Sequence, residues 1–354
     1  MIRTGPTNGL TDVRGLRVGH STRIGDGWLS GVTVVLAPEG GAVAGVDVRG
    51  GGPGTRETDV LDPRNGVDRV HAIVLAGGSA FGLSAACGVT ERLAADKVGF
   101  PVGPEPGEVV PIVPAAVVFD LGRGGRFEAR PDAALGAEAY EAALAGAGPV
   151  PQGVVGAGTG AVAGGLKGGV GTASAVLEDG TVVAALAVVN AAGSTVDTNT
   201  GELLGLRLGL PGEFPDLRRP DPDDLRAALE AAERADRPLG RRPVLATTLG
   251  VVATDATLTK ALCAKLAGIA HDGMARAIDP VHTMVDGDTV FALATGEQPA
   301  PDPSGLHDLL GAAGACFGRA VAHAMLAATS VTGAEVPGRA WRSYREAFPS
   351  AFAP

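Results

Sequence analysis

From Thr11 to about Phe119 the chain is a series of short β-like runs separated by glycine turns, among them "VTVVLAPEG", "HAIVLAGG" and "VVPIVPAAVVFDL". One helical stretch interrupts them, "SAFGLSAACGVTERLAAD" from Ser79 to about Asp96. Strand-only stretches this long argue against a simple alternation of strand and helix, and for a single α+β domain of stacked sheets and helices over residues 1–354. Further on, the pattern predicts a helix in "PDAALGAEAYEAALAGAG" and a glycine-dense segment from Gly153 to Gly171 with little support for either helix or strand. A hairpin around Asp179-Gly180 comes next, then a helix in "LTKALCAKLAGIAHDGMARAI", a second hairpin in "VHTMVDGDTVFALAT" and a last long helix in "HDLLGAAGACFGRAVAHAMLAAT". With 55 glycines and only 4% aromatic residues, the core must be built from Ala, Val and Leu, packed closely over tight turns.

The formal net charge of −10 and the lack of a Lys/Arg cluster with interleaved aromatics exclude a nucleic-acid grip as the expected function. The apolar runs, such as "HAIVLAGGSAFGLSAACGV", are broken by glycine and serine, so no membrane crossing is expected. The opening "MIRTGPTNGLTDVRG" lacks a signal peptide's apolar core. Cys87, Cys263 and Cys316 are odd in number and widely spaced, which reads as buried free thiols in a cytoplasmic protein.

Familiar catalytic patterns fail. Around Ser79 the second glycine of a G-x-S-x-G elbow arrives one residue late. "GAGTGA" opens a glycine loop, not an apolar helix that could hold a pyrophosphate. Lys167, in "GGLKGG", is not followed by Ser or Thr as a P-loop lysine is, and the six histidines and three cysteines show no metal-ligand spacing. Structural roles are the expectation for His271 and His282, and no metal or cofactor is expected.

One feature remains. Residues 207–243 are charged and proline-punctuated, with one polar helix from Asp223 to about Ala235, the composition of an exposed connector. Directly after it, "LATTLGVVATDA" opens a strand on two threonines. A threonine hydroxyl needs a base, and the residue's own α-amino group, with a pKa near 7.7–8, supplies one once the chain is cut before it. On spacing alone the competing reading stands, in which two β-branched residues merely begin a strand.

The blocks "GLTDVRGLRVGH", "DVRGGGPGTRETD", "IVLAGGSAFGL", "GLKGGVGTAS", "VVNAAG", "TTLGVVATDA" and "DGDTVFALAT" occur in an order that resembles the self-processing L-aminopeptidase/D-amino-acid esterase family of N-terminal-nucleophile hydrolases, which includes β-peptidyl aminopeptidases and nylon-oligomer hydrolases. The resemblance implies a four-layer αββα sandwich and an internal cut at Ala246–Thr247, giving a heavy chain 1–246 and a light chain 247–354. It implies Thr247 as nucleophile, with Thr248 the alternative one position out of phase. Lys167 resembles the lysine beside the nucleophile and Asn190 the amide that donates to the oxyanion, while Asp286 and Asp288 resemble the acidic pair that orients it. Loop, turn and hairpin roles compete for each of these. Two departures stand out: the family often carries Asn or Gly where this chain has Ala246, although ornithine acetyltransferases also cut between alanine and threonine, and Phe119 replaces a pocket tyrosine of the nylon-oligomer hydrolases. The implied substrates are short peptides, β-peptides, amino-acid amides or esters, and ω-amino-acid oligomers, turned over by a homo-oligomer, a tetramer by resemblance. An acyltransferase using the same acyl-enzyme, or an unprocessed non-enzymatic relative, are the alternatives.

Overall fold

The computed structural model describes residues 2–146, 148–235, 245–333, 336 and 340–352. Two sheets lie face to face. The first orders five strands as β1 (Arg17–Gly25), β2 (Trp28–Leu36), β6 (Ala72–Ala76), β9 (Ala115–Val117) and β4 (Thr55–Arg56). The second orders six as β12 (Val170–Val176), β13 (Val182–Val188), β14 (Leu249–Ala256), β15 (Thr289–Gln298), β3 (Ala42–Val48) and β5 (Arg69–Val70). Two small antiparallel pairs complete the strands, β7 (Phe100–Pro101) with β8 (Val109–Val110), and β10 (Val162–Ala163) with β11 (Leu166–Lys167).

Burial divides into three apolar layers, as a four-layer sandwich requires. Between the sheets, Val35, Ile73 and Leu75 of the first meet Leu186, Leu249, Val251 and Phe291 of the second. Behind the first sheet, α1 (Ala85–Ala95) and α2 (Ala133–Ala145) cover Val32, Val34 and Val74. Behind the second, α4 (Lys260–Ala275) and α5 (Pro303–Ala327) cover Ala185, Val252 and Ala292. Strand β14 is therefore buried on both faces, which is why it reads as a continuous apolar run. Helices α1 and α2 can touch because a side chain at Gly88 or Gly136 would run into the other helix's main chain. By length and composition α5 is long and apolar enough to cross a membrane, but 72% of that stretch is buried within the protein. Two further helices, α3 (Pro222–Ala235) and α6 (Tyr344–Ala347), lie among the described residues.

The α+β sandwich agrees with expectation, and three local readings do not. "VHTMVDGDTVFALAT" forms no hairpin: residues 281–288 are an irregular loop, and β15 pairs in parallel with β14 and antiparallel with β3. The Asp-Gly turn signal is overridden because β15's partners are far away in the chain. The strand after the connector begins at Leu249, so Thr247 and Thr248 precede it. Cys87 is exposed, since close packing of α1 on α2 through Gly88 and Ala85 turns the neighbouring position outward, whereas Cys263 and Cys316 are buried. Of the expected connector, 236–243 lie outside the described residues; the part before α3 is mostly exposed, yet the Glu213 side chain within it is buried.

Candidate active site at the converging strand ends

Pairing register brings the expected residues together. Val188 of β13 pairs with Leu249 of β14, so continuing the ladder outward sets Asn190 beside Thr247. Leu249 in turn pairs with Thr289 of β15, which sets Gly287 and Asp288 on the other side of the threonines. Val170 of β12 pairs with Val188, which carries Gly168 and Lys167 to the same end of the sheet. Four strand ends thus deliver side chains to one buried spot, where Ala246, Thr247, Asn190, Lys167, Asp286 and Asp288 are each at most 4% exposed.

The Ala246–Thr247 peptide is held on both sides by main chain. The Ala246 N–H donates to the Val285 carbonyl (3.1 Å), and the Thr247 N–H donates to the Asn190 carbonyl (2.6 Å). Two donors converge on the Ala246 carbonyl oxygen, the Thr247 hydroxyl at 2.5 Å and the Gly287 N–H at 3.1 Å. Gly287 fits only as glycine: a Cβ there would stand 2.7 Å from both Thr247 Oγ1 and the Gly52 carbonyl oxygen. Thr248 differs from its neighbour, for its buried hydroxyl has no partner among the described residues.

Asn190 is clamped in one orientation. Its Oδ1 accepts from Arg123 Nη1 (2.5 Å) and from the Val162 N–H (3.1 Å), which fixes the amide nitrogen on the opposite side. There Nδ2 donates to the Phe119 carbonyl (3.3 Å), and an amide nitrogen carries a second N–H. Phe119 therefore contributes its main chain to the site. Lys167 is fully buried, and its ammonium donates to the carbonyls of Gly158 (3.1 Å), Ala161 (2.8 Å) and Gly168 (2.7 Å). Those three bonds use its three donors, so the lysine shapes the glycine loop. Burial pushes the Lys167 pKa well below the ordinary lysine value, the Arg123 cation lowers it further, and Asp120 opposes both.

Asp120 and Arg123 carry no motif, and sequence reasoning missed them. The Asp120 carboxylate accepts from the Gly78 N–H (2.6 Å) and the Ser30 hydroxyl (2.8 Å). Burial raises its pKa, against those hydrogen bonds and the nearby Arg123 and Lys167 cations. Arg123 thus holds the Asn190 amide directly, with buried Asp120 and Lys167 close enough to act on the guanidinium electrostatically.

The acidic pair divides its work. Asp288 Oδ1 accepts the Thr248 N–H (2.7 Å), while its Oδ2 accepts the main-chain N–H (3.0 Å) and faces Nδ1 (2.8 Å) of His282. Asp286 Oδ1 accepts the Ala192 N–H (3.3 Å), and its Oδ2 takes the Thr283 N–H (3.0 Å) and hydroxyl (2.6 Å). Asp286 ties the 280s loop to the segment carrying Asn190, and Asp288 ties it to the segment carrying Thr247. Neither carboxylate hydrogen-bonds the Thr247 hydroxyl, which is directed at the Ala246 carbonyl oxygen.

Comparison with known proteins bears on the family and the fold. The model of peptidase family S58 matches residues 8–337. An uncharacterized aminopeptidase of Mycobacterium bovis is 49% identical over 98% of this chain and 99% of its own length. The 6-aminohexanoate-oligomer endohydrolase of Paenarthrobacter ureafaciens is 32% identical, over 78% of this chain and 72% of that protein. Among solved structures, the L-aminopeptidase D-Ala-esterase/amidase of Ochrobactrum anthropi superposes with a TM-score of 0.73 over 96% of this chain and 92% of that one, at 22% identity. A Burkholderia β-aminopeptidase does so with a TM-score of 0.71 over 100% and 97%, also at 22% identity, so both establish the N-terminal-nucleophile hydrolase fold alone. With a family match over residues 8–337 and a relative 49% identical over 98% of the chain, the chain belongs to peptidase family S58 and is a hydrolase of the aminopeptidase and amidase kind.

Proposed function

We propose that the chain cuts itself between Ala246 and Thr247 and then uses Thr247 as an N-terminal nucleophile on amide or ester substrates. The observation that carries this reading is the convergence of the Thr247 hydroxyl and the Gly287 N–H on the Ala246 carbonyl oxygen. In the first step Thr247 Oγ attacks the Ala246 carbonyl carbon, and Gly287 N–H steadies the negative charge that builds on its oxygen. As the C–N bond breaks, the hydroxyl proton passes to the departing Thr247 nitrogen and leaves an ester. Water hydrolyses that ester, freeing the Ala246 carboxylate and returning the Thr247 hydroxyl beside the amine that the C–N cleavage has already released. The amine then serves as general base for Thr247's own hydroxyl. Attack on a substrate carbonyl gives an acyl-enzyme, with the second N–H of Asn190 Nδ2 as the oxyanion donor, and water releases the acyl group.

The heavy chain would be residues 1–246 and the light chain 247–354. The similarity to a named 6-aminohexanoate-oligomer endohydrolase, and to aminopeptidases over the full length, supports short peptides, β-peptides, amino-acid amides or ω-amino-acid oligomers as substrates. Intact-mass spectrometry with N-terminal sequencing of the purified protein tests the reading. Two chains, the smaller beginning at Thr247, are expected; one uncut chain after days of incubation would overturn it.

Gly287 gives a sharper check on the geometry. Gly287→Ala places a methyl group against Thr247 Oγ1 and the Gly52 carbonyl, so the hydroxyl or the loop must move. Overpacking of this kind costs about 1–3 kcal/mol in stability. The loss of aim should slow cutting by roughly a hundredfold or more, since an ångström of misplacement is enough for that. A time course on denaturing gels reads it directly, and wild-type cutting in the alanine variant would refute the assignment.

A further inference from the structure

We propose that His282 is a positioning residue for Thr247, acting through Asp288; the inference rests on the self-processing reading above. Expected from sequence to be structural, His282 stands instead two hydrogen bonds away from the residue next to the nucleophile. Its main-chain N–H and its Nδ1 both meet Asp288 Oδ2, at 3.0 and 2.8 Å, and the other oxygen of that carboxylate accepts the Thr248 N–H at 2.7 Å. The ring nitrogen facing a carboxylate oxygen is the protonated one, so Nδ1 donates. Asp288 is therefore gripped by two donors on one oxygen and passes that grip to the main chain that carries Thr247.

The backbone shows that this geometry is imposed. His282 has a φ of +59°, in the left-handed region that a side chain other than glycine's rarely adopts. The residue holds this costly conformation while its own N–H and its ring nitrogen both meet Asp288 Oδ2. Around the ring, Nε2 is buried and has no partner among the described residues, and the His271 ring packs against it edge-on at 4.7 Å between centroids. His271 is held in turn by a contact of its Nε2 with the Asp47 carbonyl (2.9 Å). The imidazole is thus wedged into one orientation, and its side chain is only 16% exposed. Nothing in this arrangement touches the reacting atoms. Its effect is on where Thr247 sits relative to Gly287 and Asn190.

Two substitutions in the full-length protein separate backbone strain from the side-chain donor. His282→Gly relieves the left-handed conformation but removes the donor. His282→Asn keeps an N–H donor near the position of Nδ1 and tolerates the left-handed region. We expect His282→Gly to cut itself about tenfold or more slowly, and its processed form to show kcat lowered by a similar factor with KM within about twofold. His282→Asn should restore both rates to within about threefold of wild type, and imidazole added to His282→Gly should recover part of the loss. Thermal unfolding of both variants shows whether a loss follows from unfolding, and the asparagine rescue is a readout that simple destabilisation would not produce. Wild-type rates in His282→Gly, or an asparagine variant as slow as the glycine one, would overturn the inference while wild-type self-cleavage left the earlier reading intact. A wild-type protein that never cuts would overturn both.

Discussion

Replacing Thr247 by alanine is expected to leave a single uncut chain that turns over no amide substrate. In the proposed mechanism the hydroxyl that lies 2.5 Å from the Ala246 carbonyl oxygen is the attacking group in both steps. Thr248 cannot substitute, because its N–H is bonded to Asp288 and its hydroxyl lies buried away from any partner among the described residues. Hydrolysis should fall by at least about a thousandfold, the usual scale when a nucleophile is removed and only binding and oxyanion donors remain. Thr247→Ser retains the hydroxyl and should retain cutting, and Thr248→Ala should cut as wild type does. Intact masses of the four proteins, followed by assay on amino-acid amides, read all of these together. A cut and active Thr247→Ala protein would remove the nucleophile assignment, and an uncut Thr248→Ala protein would move it by one residue.

The sequence made the order of blocks legible, and with it the sandwich and the candidate residues that the fold gathers at one end of the second sheet. Those residues came from the resemblance, and the ladder that sets Asn190 beside Thr247 could not be read from alternation, because β13 and β14 are buried along nearly their whole length on both faces. The "DGD" segment shows where local signals stop. Asp-Gly is a hairpin turn when the next strand folds back on the last, but β15 continues in parallel to β14 after helix α4, and the turn residues instead bridge to Ala246. Asp120, Arg123 and His282 were illegible for another reason. Each is a single residue whose partners, Gly78, Asn190 and Asp288, are set by tertiary approach, not by spacing along the chain. His282 is the instructive case: a lone histidine before a strand is usually structural, and only its left-handed backbone and the carboxylate facing it mark it as more.

Breaking the buried pair between Glu213 and Arg319 is expected to destabilise the protein by about 3–5 kcal/mol, because it strands an uncompensated charge. Both side chains are 1% exposed, with Arg319 Nε at 2.9 and 2.6 Å from the two carboxylate oxygens. Arg319 Nη2 also donates to Asn8 Oδ1 and to the Ser174 carbonyl, both at 2.9 Å, and Asn8 Nδ2 donates to Glu213 Oε1 at 2.8 Å. His323 Nε2 lies 2.9 Å from that same oxygen. Burial alone would raise the Glu213 pKa, but the hydrogen bonds from His323 and Arg319 and the Arg319 charge outweigh it and hold it near 2, against an ordinary 4.5. A folded-state pKa below the unfolded one means that the carboxylate's contribution is complete above about pH 4.5 and is lost as pH falls toward 2. Urea midpoints should therefore drop for Arg319→Met at neutral pH, and Glu213→Gln should flatten the fall in stability across that acid window. If Arg319→Met instead unfolds at the wild-type midpoint, the pair contributes nothing. The location makes the outcome bear on the proposed cut as well. Glu213 precedes Thr247 in the chain while Arg319 and His323 follow it on α5, so once the Ala246–Thr247 bond is broken this node is a buried charged contact between the heavy chain and the light chain. Arg319→Met should then release the two chains from each other at lower urea than in wild type, whereas in the uncut Thr247→Ala background the same substitution can only unfold a single chain. A difference between those two backgrounds is what a clamp across the cut requires, and equal behaviour would reduce the node to ordinary core stability.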